Sequence, residues 1–416
     1  MQGWWHTWRG AALAAAMVLG GFCLLLVNGK LWDLWGVQHM RPYFLDLVAV
    51  LAAGEAHVRG IDVYAGNPLD PLGRPHVYGP AWLLTGSLGL TGDDAGWLGA
   101  VLSAVFIATA CLIAAPRTRG AVVLTVLALL SPPVVLGLER GNNDLVVFLL
   151  LALAAACAAA RPGLAAWGTA AVVVVAAALK FYPLAGLATL AGARDSWRRI
   201  ILPAVTGAAA FGLHWMAQAD EIARVLSLTP NPATIFAHGL GVIHITWTLL
   251  SAVRGWLLFG ALTAGLLGLA WLWWRRRDLA ALLPQDGFAT TAWLAGASAW
   301  LACFVISASF PYRVVLLLLL LPALLRADAP RAGLEFAALL AGTFWLTAPK
   351  FWLAHAAEAD PANTTALHLL SVIAGADQTL FLLIALTLLW VTGAWAGRRW
   401  ATERQGRNVT GPVSAR

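Results

Sequence analysis

The sequence is poor in charged residues, which make up only 11% of its 416 residues, whereas hydrophobic residues make up 60%. This balance lies well outside that of a water-soluble domain and excludes one. Apolar stretches close to the roughly 20 residues that a helix needs to cross a bilayer recur along the chain. The first, Ala11 to Val27, has no small-residue cleavage site after it, so we interpret it as a retained span and not a secretory signal. We therefore predict an all-α, polytopic membrane protein in which residues 1–416 form one integral membrane domain.

Cysteine is also scarce, and the usual patterns for metal and nucleotide sites are missing. The four cysteines stand singly within apolar runs, which argues against a metal or redox site and favours small core residues. The sequence has no Asp-x-Asp pair, no histidines at metal-binding spacing and no glycine-rich phosphate loop. We therefore expect neither a nucleotide-dependent ATPase nor a metal-dependent enzyme, and we expect no cofactor.

The basic residues occur in short clusters between the apolar runs, which indicates membrane topology and not a nucleic-acid interface, despite a net charge of +7. Because Lys and Arg favour cytoplasmic loops, an even number of crossings should join successive clusters. The clusters are Arg9, Arg117/Arg119, Arg161, Arg194/Arg198/Arg199, Arg275 to Arg277, Arg326/Arg331 and Arg398/Arg399. About twelve spans satisfy this rule, near 11–28, 95–115, 121–137, 145–160, 164–180, 183–193, 200–217, 255–274, 288–308, 313–326, 332–348 and 378–397. Both termini are then cytoplasmic, including a tail at 400–416.

The opposite, outer face receives three longer segments under this topology, at 29–94, 218–254 and 349–377. Within the first segment, residues 79–90 are too short to cross the bilayer, so we predict an interfacial or re-entrant helix there. The outer face also collects a group of polar and ionisable residues. Such residues at membrane depth are costly, and this cost makes the outer face the candidate functional site.

Asp46 lies in the first outer segment, among the apolar residues of a helix that we expect to run along the membrane surface and to end at Gly60. A carboxylate in this setting is a candidate general base that takes a proton from an acceptor hydroxyl. The alternative is that Asp46 caps a helix or is a solvated loop acid.

The turn predicted at 138–144 is rich in polar side chains beyond what a tight hairpin needs. Asn142, Asn143 and Asp144 have side chains that hydrogen-bond sugar hydroxyls, and Arg140 can pair with phosphate. The alternative interpretation is an Asx-type turn with a salt bridge between Arg140 and Glu139.

Two cations stand at predicted outer turns, where the positive-inside rule gives no reason for them. Lys180 follows an aliphatic helix and precedes Tyr182, and Arg313 follows Tyr312. Each is suited to a lipid phosphate, and the Arg313 guanidinium can bind one bidentately. For Lys180 the alternative is snorkelling to the lipid headgroups. His238, in the second outer segment, is a weaker candidate, because a lone histidine on an apolar face is more often a satisfied interior residue.

Taken in order, these motifs resemble glycosyltransferase family 87 over roughly the first half of the chain. The resemblance rests on Asp46, Gly60, Asp62 and Tyr64, then Tyr78-Gly79-Pro80, Ser131-Pro132-Pro133, Gly141-Asn142-Asn143-Asp144, Lys180-Phe181-Tyr182-Pro183 and Arg198-Arg199. Phe310-Pro311-Tyr312-Arg313 is similar to a Tyr-Arg turn of bacterial relatives. The sequence departs from the family pattern at Gly79, where a proline is usual, and at the turn before Asp144, where many members have Gly-Gln-x-Asn.

The resemblance implies a GT-C fold and a metal-independent enzyme that moves a sugar, mannose in the best-known members, from a polyprenyl-phosphate donor to an acceptor at the outer face. It places Asp46 at the position of the catalytic base and implies inversion of the anomeric configuration. We predict donor-phosphate contacts from Lys180, Arg313 and Arg140. The predicted substrate contacts are Tyr64, Tyr78, Glu139, Asn142, Asn143, Asp144, Tyr182, Tyr312 and His238. Expected partners are the lipid-linked donor, a lipid or glycan acceptor and membrane lipids, but no nucleic acid, and the oligomeric state is left open.

A transporter or flippase of a lipid-linked sugar is the alternative function, because it also needs charges at membrane depth and a cation for phosphate. Such a carrier predicts internal repeats, and the two halves of the sequence show none that is convincing. A purely structural role would leave the outer-face charges unexplained. We therefore predict a multi-pass glycosyltransferase of the plasma membrane whose active site faces outside.

Overall fold

Helices account for the regular secondary structure in the computed structural model, which describes residues 2–160, 164–193, 197–230, 235–306, 308–360 and 362–409. The all-α prediction is confirmed for these residues. Within them, the one β-type contact is an antiparallel bridge between His238 and Ser309. The predicted basic residues Arg161 and Arg194, and residues 410–416 of the predicted tail, lie outside the described residues.

The α-helices of the first half are α1 (Gln2–Val27), α2 (Lys30–Trp35), α3 (Leu45–Val58), α4 (Leu84–Ser87), α5 (Ala95–Ala114), α6 (Arg119–Leu129), α7 (Pro132–Arg140), α8 (Asn143–Ala159) and α9 (Leu164–Leu179). Those of the second half are α10 (Trp197–Ala217), α11 (Ala219–Leu228), α12 (Leu240–Leu249), α13 (Arg254–Ala280), α14 (Phe288–Ile306), α15 (Leu321–Leu324), α16 (Arg331–Trp345), α17 (Thr347–Ala359) and α18 (Thr364–Val409). Segments of 3₁₀ helix occupy Pro80–Leu83, Gly92–Asp94, Tyr182–Gly192, Ser251–Val253 and Pro311–Leu320.

Seven helical stretches of the described chain are long and apolar enough to cross a membrane, which makes the protein a multi-pass membrane protein. They are Trp8–Val27, Gly92–Ala114, Arg199–Ala217, Ser251–Ala280, Phe288–Ile306, Arg331–Ala359 and Thr364–Gln405. An eighth results if α6 and α7 are counted together across the 54° bend between them. Pro132 and Pro133 stand at this bend, and proline removes the backbone donor that a continuous helix would use. Helix length does not confirm the predicted count of about twelve spans.

The remaining predicted spans are short, and two of them are not α-helical. The stretches predicted at 183–193 and 313–326 form the 3₁₀ helices Tyr182–Gly192 and Pro311–Leu320, the second followed by α15. A 3₁₀ helix rises about 2.0 Å per residue, whereas an α-helix rises about 1.5 Å. The 11 residues of Tyr182–Gly192 therefore extend about 22 Å instead of about 16 Å. The 3₁₀ form thus lengthens segments that contain too few residues for an α-helical crossing.

The segments predicted to lie outside the membrane contain more helical structure than is usual for loops. Residues 349–377 lie mostly in α17 and in the first turns of α18, which continues for 46 residues to Val409. An α-helix of that length far exceeds the roughly 30 Å hydrocarbon core, so α18 extends beyond the bilayer. Residues 218–254 include α11 and α12, and residues 29–94 include α2, α3 and α4.

One large core joins both halves of the chain. It contains buried side chains of α1, α5 to α8, α14 to α16 and α18, together with the 3₁₀ helix Pro311–Leu320. The helix α13 lies along α18 and exposes large apolar side chains, among them Leu262, Leu266 and Trp273. Exposed apolar side chains on a helix of this length are suited to contact with lipid.

The helix α3 carries Asp46 into this core. It ends at Val58, just before Gly60, where the sequence predicts its end, and most of its residues from Leu45 to Ala53 are buried. Near the start of α3, α7 ends at Arg140 and is followed by Gly141, which adopts a left-handed conformation with φ +56°. An added Cβ at Gly141 would lie 3.1 Å from the Cβ atoms of Phe44 and Leu47. The absence of a side chain at Gly141 therefore allows the turn between α7 and α8 to contact the start of α3.

We expect Gly141→Ala to lower the free energy of unfolding by about 1–2 kcal/mol, because a side chain at this left-handed position is strained. The measurement is thermal unfolding of the purified protein in detergent. The matched control is Gly96→Ala in α5, where an added Cβ has no other heavy atom within 4 Å. Equal stability of the two variants would show that the close contact at Gly141 is not required.

Candidate active site

Asp46 is held at the start of α3 by the turn between α7 and α8. Oδ2 of Asp46 accepts a hydrogen bond of 2.6 Å from Nδ2 of Asn142, and Asp46 is only 9% exposed. The backbone N–H of Phe44 donates to the carbonyl of Glu139 at 2.7 Å, which ties the residues before Asp46 to the end of α7. Asp46 is therefore neither a solvated loop acid nor a cap of its own helix, because no side-chain cap hydrogen bond is present at the start of α3.

Arg74 is a second partner of Asp46. Its Nη1 lies 3.6 Å from Oδ1 of Asp46, and its Nη2 donates to the carbonyl of Leu45 at 2.8 Å. Asp70 fixes the guanidinium by accepting from Nε at 2.9 Å and from Nη2 at 2.8 Å. Burial alone would raise the pKa of Asp70, but the hydrogen bonds and charge of Arg74 hold it below its ordinary value. Asp70 therefore stays ionised and fixes the cation beside Asp46.

The polar turn after α7 contributes in two ways. Oδ1 of Asn142 accepts from the backbone N–H of Asp144 at 2.9 Å and caps α8, and Arg140 forms an ion pair of 2.9 Å with Glu139. The alternative interpretation, an Asx-type turn with a salt bridge, is therefore confirmed. The same turn also points Asn142 at Asp46, so its structural and site roles coexist.

Lys180, Asp144 and Tyr182 form a connected group beside Asn142. Oδ1 of Asp144 accepts from Nζ of Lys180 at 2.6 Å and from the hydroxyl of Tyr182 at 2.5 Å. Nζ of Lys180 also lies 3.5 Å from Oδ1 of Asn142. Lys180 thus points into the protein and does not snorkel, and its ammonium is anchored by an aspartate that is 1% exposed.

Two tyrosine rings border this ammonium. Nζ of Lys180 lies 5.5 Å from the ring centre of Tyr78 and 5.8 Å from that of Tyr312. Gly79 places Tyr78 there: its N–H donates to the carbonyl of Leu179, and an added Cβ would lie 2.1 Å from the carbonyl oxygen of Ala178. Desolvation and the charge of Asp46 raise the pKa of Tyr78 well above its ordinary value, so its phenol stays neutral. The glycine at position 79, where the resemblance leads one to expect proline, therefore brings the loop against the end of α9.

Arg313 completes the group. Its guanidinium lies over the ring of Tyr182 at 5.4 Å, and its Nη1 donates to Oγ of Ser309 at 3.1 Å. Its Nε is buried and has no hydrogen-bond partner among the residues that the structure describes. Within the part of the chain that the structure describes, Arg313 forms no ion pair with a carboxylate. Ionised groups withdrawn from water normally have such a partner. We call Asp46, Tyr78, Asn142, Asp144, Lys180, Tyr182, Tyr312 and Arg313 the polar cluster.

The remaining predicted site residues lie outside the polar cluster. Glu139 is fully buried and accepts from the backbone N–H of Met40 at 2.8 Å, and Arg140 pairs with it, so both hold the segment before Asp46. Tyr64 packs against His76, with ring centres 5.9 Å apart, and beneath the guanidinium of Arg224. Direct substrate contacts from these residues stay predictions.

The side chains of Asn143 and His238 are buried, and their polar atoms lack hydrogen-bond partners among the described residues. Asn143 is 1% exposed, and within the described ranges neither its Oδ1 nor its Nδ2 has a hydrogen-bond partner. His238 is fully buried, and its ring stacks against both Phe381 and Trp300, with ring centres 4.7 Å and 5.8 Å away. Burial, with the charges of Arg313 and Lys350, lowers the pKa of His238 to about 3, so its ring is neutral near pH 7. Its predicted substrate contact is untested.

Arg74 and Asp70 were missed by the sequence analysis, although a signal was present. Arg74 is an arginine in a predicted outer segment, which is the feature that singled out Arg313. Its contact with Asp46 depends on how the loop folds back onto α3, and spacing along the chain does not give that path.

The polar cluster combines groups suited to one type of chemistry. Asp46 can accept a proton, and the ammonium of Lys180 and the guanidinium of Arg313 can stabilise an anionic leaving group. Tyr78, Lys180, Tyr182, Tyr312 and Arg313 are partly exposed, whereas Asn142 and Asp144 behind them are buried. The cluster is therefore open to a substrate on one side and anchored on the other.

Comparison with known proteins gives one family. The model of glycosyltransferase family 87 matches residues 76–295. This stretch includes Tyr78, the turn at 139–144, Lys180 and His238, whereas Asp46 and Arg313 lie outside it. No curated protein matches the chain. No solved structure matches it either.

We expect Asp70→Asn to lower the free energy of unfolding at neutral pH by about 1.5–3 kcal/mol, because it removes charge-assisted hydrogen bonds. Since the pKa of Asp70 is lower in the folded protein, its contribution is present above the ordinary Asp value of 3.8 and is lost as the pH falls through the folded-state value. The measurement is thermal unfolding in detergent from pH 3 to 7, with the exposed Asp93→Asn as the control. If both variants give the wild-type profile, Asp70 does not anchor Arg74.

Proposed function

Because the chain belongs to glycosyltransferase family 87, and is thus a membrane glycosyltransferase, we propose that its donor is a polyprenyl-phosphate sugar. The sugar, mannose or another hexose or pentose, moves to a lipid or glycan acceptor of the cell envelope at the outer face of the plasma membrane. The reaction inverts the anomeric configuration and uses neither a metal ion nor a cofactor.

The observation that carries this proposal is the state of Arg313. Arg313 is a cation of the polar cluster, and its buried Nε has no hydrogen-bond partner among the described residues. None of those residues supplies a carboxylate that forms an ion pair with it, and its Nη1 bonds to a hydroxyl. The guanidinium matches the geometry of a phosphate and binds it bidentately. A lipid-linked phosphate would supply the missing anion.

Lys180 adds to the same phosphate site. An ammonium has three donors, and the structure directs one at Asp144 and a longer one at Asn142. A third donor is left for the substrate. Together, Lys180 and Arg313 place two positive charges beside the phosphate leaving group. In other enzymes a nucleotide site or a metal ion plays this role.

The proposed reaction is a single displacement. Asp46 accepts the proton of the acceptor hydroxyl, whose oxygen attacks the anomeric carbon from the side opposite the phosphate. The new carbon–oxygen bond forms as the bond to the phosphate oxygen breaks, and polyprenyl phosphate departs with that electron pair. Phosphate needs little protonation to leave, so no second carboxylate acts as an acid. Asn142 and Arg74 hold the carboxylate of Asp46 in its position.

We propose the corresponding membrane arrangement, with both termini in the cytoplasm and the polar cluster facing outside. The basic clusters between the apolar runs support it through the positive-inside rule. A count of about twelve spans then includes the shorter helices α8 and α9 and the two extended 3₁₀ segments.

Asp46→Asn tests the general base. We expect kcat for transfer of a labelled sugar from polyprenyl-phosphate donors to fall by about 10²- to 10⁴-fold, with a donor KM close to wild type. The matched control is Asp93→Asn, at an exposed position. Turnover equal to wild type in a folded Asp46→Asn protein would remove Asp46 from the mechanism.

Arg313→Gln tests the phosphate site. We expect the donor KM to rise about 10- to 100-fold, because a charge-assisted interaction of about 1.5–3 kcal/mol is lost. The control is Arg59→Gln, at an exposed arginine of α3's C-terminus. The transporter would be supported instead if the wild type transfers sugar from no polyprenyl-phosphate donor and moves the intact donor between the leaflets of the membrane.

A further inference from the structure

Lys350 of α17 and Asp377 of α18 form an ion pair deep in the protein that the proposed mechanism does not use. Nζ of Lys350 lies 2.6 Å from Oδ2 of Asp377, and both residues are 1% exposed. Withdrawing two charges from water costs several kcal/mol for each ion, and their attraction often does no more than compensate. Oδ1 of Asp377 is also buried and has no hydrogen-bond partner in the described part of the chain, which adds to the cost. Stability alone is therefore a poor explanation for this pair.

The pair holds the backbone of a neighbouring segment. Nζ of Lys350 donates to the carbonyl of Ile235 at 3.1 Å. Gln378, the residue after Asp377, donates from Nε2 to the carbonyl of Ala237 at 2.8 Å. Two carbonyls of the short segment before α12 are thus fixed by side chains from the C-terminal helices.

This segment leads to Arg313. His238 follows Ala237, and its N–H donates to the carbonyl of Ser309 at 3.0 Å, while the N–H of Ser309 donates back at 2.7 Å. Oγ of Ser309 accepts from Nη1 of Arg313 at 3.1 Å, which is the hydrogen bond that orients the guanidinium. The ring of His238 also stacks on Phe381 of α18, so α18 contacts the segment at a second point besides Gln378.

We propose that Lys350, Asp377 and Gln378 are positioning residues for the donor phosphate, which hold Arg313 in place through residues 235–238 and Ser309. The inference rests on the proposed function, in which Arg313 binds that phosphate. None of the three residues contacts the substrate. Their loss weakens donor binding through Arg313 and leaves acceptor use unchanged.

A double-mutant cycle between Gln378 and Arg313 tests the proposal. Gln378→Leu keeps the size of the side chain and removes the hydrogen bond to Ala237. In the wild-type background we expect Gln378→Leu to raise both the donor KM and the inhibition constant of polyprenyl phosphate about tenfold. In the Arg313→Gln background we expect both to rise less than about twofold, because the effects of coupled residues are non-additive. The acceptor KM should not change. The matched control is Thr379→Val, because the Thr379 hydroxyl bonds only within α18, to the carbonyl of Gly375.

The ion pair has a test of its own. The variant with both Lys350→Met and Asp377→Leu removes the two charges together, so no unpaired ion is left buried. We expect it to fold in detergent and to show the same rise in donor KM as Gln378→Leu. A lower melting temperature with an unchanged donor KM would assign the pair to the packing of α17 on α18 and overturn the proposal.

The outcomes separate the inference from the function on which it rests. If Arg313→Gln leaves the donor KM unchanged, the phosphate site is wrong and the positioning role is wrong with it. If Arg313→Gln raises the donor KM and Gln378→Leu does not, only the positioning role is wrong. Equal effects of Gln378→Leu in both backgrounds would likewise contradict an action through Arg313.

Discussion

The hydrogen bond from Asn142 to Asp46 is the contact on which the arrangement of the site depends. One amide joins three elements, because its Nδ2 donates to Asp46 at the start of α3 while its Oδ1 caps α8 and lies near Lys180. It forms only because Gly141 lets the turn approach α3. The proposed base and the phosphate-binding cation are therefore linked through one buried side chain.

Charge pairing explains how the rest of the site is organised. Asp70 is paired with Arg74, and Asp144 with Lys180, so these acids mainly orient cations. Arg313 donates to the hydroxyl of Ser309 and lies over the ring of Tyr182, and among the described residues no carboxylate forms an ion pair with it. In the proposed function Arg313 is available to the donor phosphate, while the paired charges position Lys180, Arg74 and Asp46. In the further inference, the buried pair Lys350–Asp377 extends this principle to the segment that contacts Ser309.

Much of the site could be predicted from sequence, because charged and amide residues stand out in an apolar chain. Asp46, Asn142, Asp144, Lys180 and Arg313 were found in this way, and the structure brings them together. Arg74 could not be placed, since its contact with Asp46 depends on the path of a loop. Nor could sequence show that Glu139 and Arg140 would face the segment before Asp46.

The helices could be predicted from apolar runs, but their form could not. In a run such as Leu316 to Leu321 every residue is apolar, so periods of 3.0 and 3.6 residues leave the same pattern. The 3₁₀ helix there follows from tertiary packing, since Pro311–Leu320 is buried against α7, α8 and α14. Apolar runs do not give the count of spans for the same reason, because the length per residue depends on the helix type.

The anomeric configuration of the product tests the central claim most directly. Wild-type protein would be given a polyprenyl-phosphate sugar of known configuration, and the new glycosidic bond would be assigned by NMR from the coupling between the anomeric carbon and its hydrogen. A single displacement with Asp46 as base predicts a configuration opposite to that of the donor. A product that retains the donor configuration would contradict the account, because a single displacement from the face opposite the phosphate inverts the anomeric carbon.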